Sequence, residues 1–145
     1  MENSTVTSKS SKLKLDFKES KYATGRRKTS IAKVWLKKGS GKIYVNGKIY
    51  SDYFANDNHK MQITRPFEII NQPTEYDVRC SVKGGGPTGQ AGAMVHGISK
   101  ALVLFDENFK ISLKTEKLTT RDSRAVERKK PGRKKARRSF QFSKR

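Results

Sequence analysis

The sequence contains a single cysteine, Cys80, among its 145 residues. One cysteine excludes an internal disulfide bond and any zinc site built on several thiolates. It is also typical of a protein from a reducing compartment. The two histidines, His59 and His96, have no apparent ligand partners in the sequence, so we expect neither a metal site nor a cofactor.

Long hydrophobic runs are missing as well. Only 33% of the residues are hydrophobic, and no apolar run approaches the ~20 residues that a transmembrane helix needs. The basic regions also lack the Leu, Phe and Trp stripe of an interfacial helix. We therefore expect no membrane partner, and one domain with a small core and tails.

Acidic residues are scarce relative to basic ones. The chain has 13 Asp and Glu against 33 Lys and Arg, a formal net charge of +20. The resulting isoelectric point near 10.3 indicates a polyanionic partner, and nucleic acid is the first candidate.

The C-terminal stretch concentrates this charge. Residues 121–145 hold twelve basic and two acidic side chains, a net charge of +10. With so few apolar residues, this segment cannot offset the entropy lost on ordering, so we expect it to be ordered only by a polyanion. A solubilising tail or a nuclear-localisation-like run is the alternative. Its candidate RNA-binding residues are Arg121, Arg124, Arg128, Lys129, Lys130, Arg133, Lys134, Lys135, Arg137 and Arg138.

The first 20 residues have a different composition. They are rich in Ser, Thr and Lys, lack Arg and include acidic residues, unlike a transit peptide, and no secretory signal is visible. We expect a flexible extension over residues 1–20, a globular domain over residues 21–119, and an extended basic tail over residues 120–145.

The middle of the chain predicts alternating strands and helices. Residues 30–37 and 76–83 alternate apolar and polar side chains, which is typical of strands. We expect glycines 39 and 41 to form a hairpin loop into a short strand at 43–45. Asn46-Gly47 should then form a tight turn to a strand at 48–50.

Helices are predicted in the second half of the domain. Residues 51–71 look helical in pieces that Pro66 interrupts or ends. An apolar stripe predicts a helix from Gln90 to Phe105, and a shorter helix is expected within residues 106–117. Gly92 and Gly97 in this helix indicate that another backbone, of protein or RNA, packs closely there. The pattern predicts an α+β fold, a small mixed sheet with helices packed on one face.

A glycine-rich loop joins the second predicted strand to the long helix. Gly84, Gly86 and Gly89 match the spacing of a dinucleotide-binding motif, but the helix leaves no room for the second parallel strand. The Lys and Ser/Thr of a P-loop are also absent. We expect Lys83, Gly84, Gly85, Gly86 and Gln90 to contact RNA through backbone N–H groups and side chains rather than to catalyse a reaction. A plain tight turn is the alternative. We expect Gly86 in this loop to have a positive φ or to be closely approached by another group.

A cationic run precedes the first predicted strand. Arg26, Arg27 and Lys28 suit phosphate recognition, although a solvated charge run would look the same. His96 is expected to be structural or RNA-facing. No nucleophile with a general base can be identified, so we expect no catalytic residues and no enzyme.

Nine short runs resemble the ribosomal protein S-nine family of the small subunit, in its bacterial or organellar form. They occur in order as Tyr22-Ala-Thr-Gly-Arg-Arg-Lys28, Val45-Asn-Gly47, Val82-Lys-Gly-Gly-Gly86, Gly89-Gln-Ala-Gly-Ala93, His96-Gly-Ile98, Thr120-Arg-Asp122, Val126-Glu-Arg-Lys-Lys130, Lys135-Ala-Arg-Arg138 and Phe142-Ser-Lys-Arg145.

The resemblance implies a domain like the second domain of ribosomal protein S-five, bound to small-subunit rRNA in the head of the subunit. It implies neighbouring ribosomal proteins as partners, a tail that threads through rRNA, and an approach of Lys144 and Arg145 to P-site tRNA. Val95 stands where the family often has a basic residue, and Pro131 and Arg133 also depart from its pattern.

Three functions from different classes remain in view at this point. The first is a structural rRNA-binding protein of a bacterial cytoplasmic or mitochondrial-matrix ribosome. The second is a free-standing basic chaperone or DNA-compacting protein, which would need no fixed Ser-Lys-Arg terminus. The third is an enzyme that uses the glycine loop, which nucleotide binding would reveal.

Overall fold

The computed structural model describes residues 18–144, so most of the expected N-terminal extension and Arg145 lie outside the described residues. Within this range the chain forms one sheet and four helices. The strands are β1 (Lys21–Arg27), β2 (Ser30–Lys38), β3 (Ile43–Val45), β4 (Lys48–Ile49) and β5 (Tyr76–Lys83). The helices are α1 (Tyr50–Tyr53), α2 (Asp57–Ile69), α3 (Pro87–Phe105) and α4 (Phe109–Thr115).

The strand order across the sheet is β1-β2-β5-β3-β4. Strands β3 and β5 run parallel, and the other neighbouring pairs are antiparallel. The expectation of an α+β fold with a mixed sheet is confirmed.

One face of the sheet packs against α3. Alternate side chains of β2 and β5 are buried there, and α2 and α4 pack against α3 as a further layer. The buried residues on this face of β2 and β5 are Ser30, Ala32, Val34, Leu36, Tyr76, Val78, Cys80 and Val82. Burial raises the pKa of the Cys80 thiol to about 12, so this cysteine stays protonated and unreactive at neutral pH.

The predicted hairpin between β2 and β3 is wrong, because β5 lies between these strands. The loop after β2 attaches to β5 instead: the backbone N–H groups of Ser40 and Lys42 each donate to the Asp77 carboxylate at 2.9 Å. The Asn46-Gly47 turn is confirmed, with φ values of 50° and 85° and Val45 paired to Lys48.

Several predicted boundaries also change. The segment Lys21–Arg27 is itself a strand, and Tyr50 begins α1 rather than ending β4. Helix α3 begins at Pro87, three residues before the predicted start. Helix α2 continues past Pro66, whose ring is buried in the core.

Strand β1 and helix α3 approach each other at two glycines. A Cβ atom added to Gly25 would lie 1.8 Å from the Ala93 carbonyl oxygen and 2.3 Å from the Gly97 nitrogen. One added to Gly97 would lie 3.1 Å from the Gly25 nitrogen. The close backbone expected near Gly97 is therefore β1, and the approach draws the cationic end of β1 against α3.

Candidate nucleic-acid interface

The turn after β1 and the glycine loop lie side by side at one end of the sheet. Lys28 has a φ of 52° in this turn, and Lys83 at the end of β5 pairs with Ile31 of β2. A Cβ atom on Gly84 would lie 2.8 Å from the Thr29 carbonyl oxygen. The cationic turn and the loop therefore form one surface.

The structure requires glycine at Gly84 and Gly85 but not at Gly86. Gly84 and Gly85 have φ values of 74° and 64°, and a Cβ on Gly85 would meet the Ser30 hydroxyl at 2.1 Å. Gly86 has a φ of −106°, and a Cβ there would have open space within 4 Å. The expectation of a positive φ at Gly86 is therefore wrong, and no described group of the domain approaches this residue closely.

Gln90 is hydrogen-bonded to the glycine loop. Its side-chain oxygen accepts a hydrogen bond from the Tyr53 hydroxyl at 2.8 Å, and its amide nitrogen donates to the Gly84 carbonyl at 3.2 Å. The Ser30 hydroxyl donates to the same carbonyl at 2.9 Å. Both ends of the Gln90 amide are thus engaged within the domain.

The N-terminus of α3 offers fewer donors than the glycine pattern indicates. Gly86 is the N-cap residue and Pro87 follows it without an N–H group. Gly89 is buried against the β1–β2 turn. The surface around Gly84 to Thr88 is exposed, so an anion would approach the loop rather than the first turn of the helix.

His96 links β1 to α3. The backbone N–H of Arg26 donates to Nδ1 of His96 at 3.2 Å, and the ring also contacts the backbone of Thr119. Burial lowers the pKa of His96, and the cations Lys100 and Arg121 lower it further, while the contact with the Thr119 backbone partly opposes them. The half-buried ring is neutral at pH 7 and structural in this arrangement.

Arg27 holds the beginning of the tail. Its guanidinium lies 3.2 Å from the Asp122 carboxylate and donates to the Arg124 carbonyl at 2.9 Å. Hydrogen bonds from Arg124, together with the charge of Arg27, hold the pKa of Asp122 well below its usual range. The tail therefore leaves the domain directly beside the cationic turn.

A pocket of about 240 Å³ lies where β1, α2, α3 and the tail meet. Its half-buried lining residues are Arg27, Gly92, Val95, His96, Leu118 and Asp122. Its exposed lining residues are Arg26, Gln62, Arg65, Lys117 and Thr120. Most of the accessible lining is apolar, and the cations stand mainly at the opening.

The rest of the tail has few contacts with the domain. Arg137 donates two hydrogen bonds to Glu127, at 2.8 and 3.0 Å, and Arg133 forms an isolated bridge with Ser139. The basic residues Arg121, Arg124, Arg128, Lys129, Arg133, Lys134, Lys135, Arg137, Arg138 and Lys144 are exposed, and Lys130 is half-buried. The described tail thus presents its cations to solvent.

The structure brings Arg26, Arg27, Lys28, Lys83 and the glycine loop to one end of the domain, and the tail starts there. Sequence reasoning missed Asp122 as the partner of Arg27. It also missed Arg65 and Lys117 at the pocket. The sequence contained one indication of the Asp122 ion pair. Asp122 is one of only two acids in the basic stretch, and such a residue commonly pairs with a nearby cation.

The comparison with known families gives a match over most of the chain. A sequence model of the family described as Ribosomal protein S9/S16 matches residues 25–145, which include the cationic turn, the glycine loop and the tail. Members of this family are generally non-enzymatic, and their partners are rRNA and other ribosomal proteins. The chain belongs to the ribosomal protein S9/S16 family, and is accordingly a structural, rRNA-binding protein of the small ribosomal subunit.

Proposed function

We propose that the protein sits in the head of the small subunit, with its cationic end on rRNA and its tail running through rRNA to P-site tRNA. One observation carries this proposal. Arg27 fixes the start of the tail beside the cationic turn, so that the charges of domain and tail form one continuous surface.

The domain contacts are assigned to the end of β1 and the glycine loop. Arg26 and Lys28 are exposed, and Lys83 flanks a loop whose backbone lies open to solvent. Such groups suit phosphate oxygens, which position a protein on RNA without reading its sequence. Gln90 and His96 support this surface from within.

The tail contacts are assigned to its exposed cations. Each neutralised phosphate releases condensed counterions, so binding weakens as salt rises. If about six phosphates are neutralised, the slope of log affinity against log salt should lie near −4 to −5 for the whole protein.

The test is a salt titration of small-subunit rRNA binding with the full chain and with a variant that lacks residues 129–145. The variant should show a clearly flatter slope. Circular dichroism should first show that it is folded. An unchanged slope would place the main electrostatic contact in the domain, at Arg26, Arg27 and Lys28. Failure of the full chain to co-sediment with small subunits would contradict the proposal.

The tRNA contact is assigned to Lys144 and Arg145. An arginine can grip a phosphate at two oxygens, whereas a lysine acts as a point charge. Arg145→Ala should leave subunit assembly intact and weaken P-site tRNA by about 1 kcal/mol, the scale of one hydrogen bond in water.

Filter binding of several tRNA species to wild-type and variant subunits measures this. Arg138→Ala, which removes a tail cation farther from the terminus, is the matched control and should leave tRNA affinity unchanged. A similar loss for every tRNA indicates a phosphate contact. Equal affinity for wild type and Arg145→Ala would remove Arg145 from the site.

A further inference from the structure

We propose that the pocket between β1, α2, α3 and the start of the tail receives one unstacked nucleobase of the rRNA. The phosphates on either side of this nucleotide would lie at the cationic opening. The inference rests on the proposed rRNA binding and names a subsite within it.

The size and floor of the pocket suit a flat heterocycle. Its volume of about 240 Å³ is many times the roughly 10–15 Å³ that one water molecule requires. Gly92, Val95 and Leu118 give it an apolar floor, and His96 adds an aromatic ring. Proteins hold splayed-out RNA bases on such apolar and aromatic surfaces.

The inner charges are already balanced by protein groups. Inside the pocket Arg27 is paired with Asp122, and at the opening Arg65 is paired with Glu116. A phosphate inside the pocket would therefore face the Asp122 carboxylate without an unpaired cation close to it. A base is uncharged, so the paired charges of the pocket do not repel it, and it can lie on the apolar floor.

The outer charges are arranged differently. Arg26 and Lys117 are exposed at the opening, and neither forms an ion pair within residues 18–144. Cations at this position can hold the phosphates that flank an inserted base. The charge pattern thus places the backbone outside and the base inside.

The side chain that best tests the pocket is Val95, which lies half-buried on α3. Val95→Phe would fill the pocket and leave every cation in place. It should weaken binding of the full chain to small-subunit rRNA about tenfold, equivalent to about 1.4 kcal/mol. The salt dependence should not change, because no phosphate contact is lost.

Chemical probing of the assembled subunits locates the effect. With reagents specific for each base, one nucleotide that is protected by the wild-type protein should become reactive with Val95→Phe. Hydroxyl-radical protection of its backbone should persist. Gln62→Trp would cover the opening from the exposed face of α2 and should expose the same nucleotide. Because its side chain lies outside the core, this variant tests the pocket even if Val95→Phe fails to fold.

Leu104→Phe is the matched control, because it introduces the same side chain at an exposed position of α3. It should leave the probing pattern unchanged. If both pocket variants bind and no base becomes reactive, the pocket is not a base site, although rRNA binding stands. Loss of backbone protection alone would make the occupant a phosphate and overturn the inference. Absence of rRNA binding by the wild type would contradict the proposed function itself.

Discussion

Arg27 joins β1, α3 and the tail through one side chain. Its aliphatic part lies against Gly92, where an added Cβ would be 2.9 Å from its Cγ. Its guanidinium reaches Asp122 and Arg124, and the second of these lies 97 residues away in sequence. A residue that reads as an RNA-binding cation in the sequence therefore also positions the tail.

Arg27→Ala should release the start of the tail, because residues 122 and 124 lose their contacts with the domain. Backbone ¹⁵N relaxation of the free protein should then show increased mobility over residues 121–125. Lys28→Ala is the control, since it removes one charge from the neighbouring position and leaves the tail held. Equal mobility in wild type and Arg27→Ala would show that the tail is held by other contacts.

His96 makes stability depend on pH. Its folded-state pKa is lowered from its ordinary value of 6.5, mainly by burial. The unfolded chain therefore binds more protons than the folded protein as the pH falls below about 6.5. The contribution of the neutral ring is complete above this pH and is lost as the pH falls toward the folded-state pKa.

The free energy of unfolding, measured by urea denaturation, should accordingly decrease between pH 7 and pH 5. His96→Gln should reduce this dependence, whereas His59→Gln, which replaces the other histidine, should retain it. The carboxyl group of Asp122 titrates far below this window, because its pKa is held low. If the free energy of unfolding of His96→Gln still decreased between pH 7 and pH 5, the pH dependence would belong to another group.

At the scale of elements, the contact between β1 and α3 tolerates no side chain at its centre. Gly97→Ala would place a Cβ atom 3.1 Å from the Gly25 nitrogen of β1 and 2.6 Å from Cγ2 of Val34 in the neighbouring strand β2. Such overpacking should destabilise the fold by about 1–3 kcal/mol. Gly92→Ala makes the same change in the same helix, where the three nearest atoms all belong to the side chain of Arg27.

Urea denaturation of the two variants measures the difference. We expect Gly92→Ala to be near neutral, because alanine favours a helix by up to about 1 kcal/mol over glycine and this gain offsets the displacement of Arg27. Gly97→Ala as stable as the wild type would mean that β1 and α3 can separate without cost.

The elements also show what the sequence could predict. The β3–β4 turn was predictable because Asn46-Gly47 determines it locally, and the buried faces of β2 and β5 followed from their alternation. The position of β5 between β2 and β3 could not be predicted, because it depends on pairing between residues that are far apart in sequence, such as Ile31 and Lys83. Strand β1 was missed because its polar and glycine residues do not resemble a strand.

The candidate site was predictable to a similar extent. Composition identified the cations, and the glycine pattern identified the loop. The pairing of Arg27 with Asp122 and the pocket could not be read from the sequence, since the pocket draws its lining from four separate segments. A positive φ was wrongly expected at Gly86 because spacing alone does not distinguish it from Gly84 and Gly85, whose φ values are positive.

At the scale of the whole molecule, the tail and the domain differ in what holds them. The domain has a buried core, whereas nearly all of residues 125–144 are exposed. Amide NMR signals of the free protein should be sharp and poorly dispersed from about Lys129 onward. Residues 120–124 should be better ordered, because Arg27 contacts them. Dispersed and exchange-protected signals throughout the tail would contradict this prediction.

The central position of β5 has a consequence for synthesis of the chain. Strands β2 and β3 are made first, but each lacks its shared neighbour until residues 76–83 have left the ribosome that makes them. At roughly 5–20 residues per second, the edges of β2 and β3 that later pair with β5 stay unpaired for several seconds. The basic residues beyond position 120 emerge only after β5 and α3 have done so. The nascent chain can thus close its sheet before half of its net positive charge becomes available to surrounding RNA.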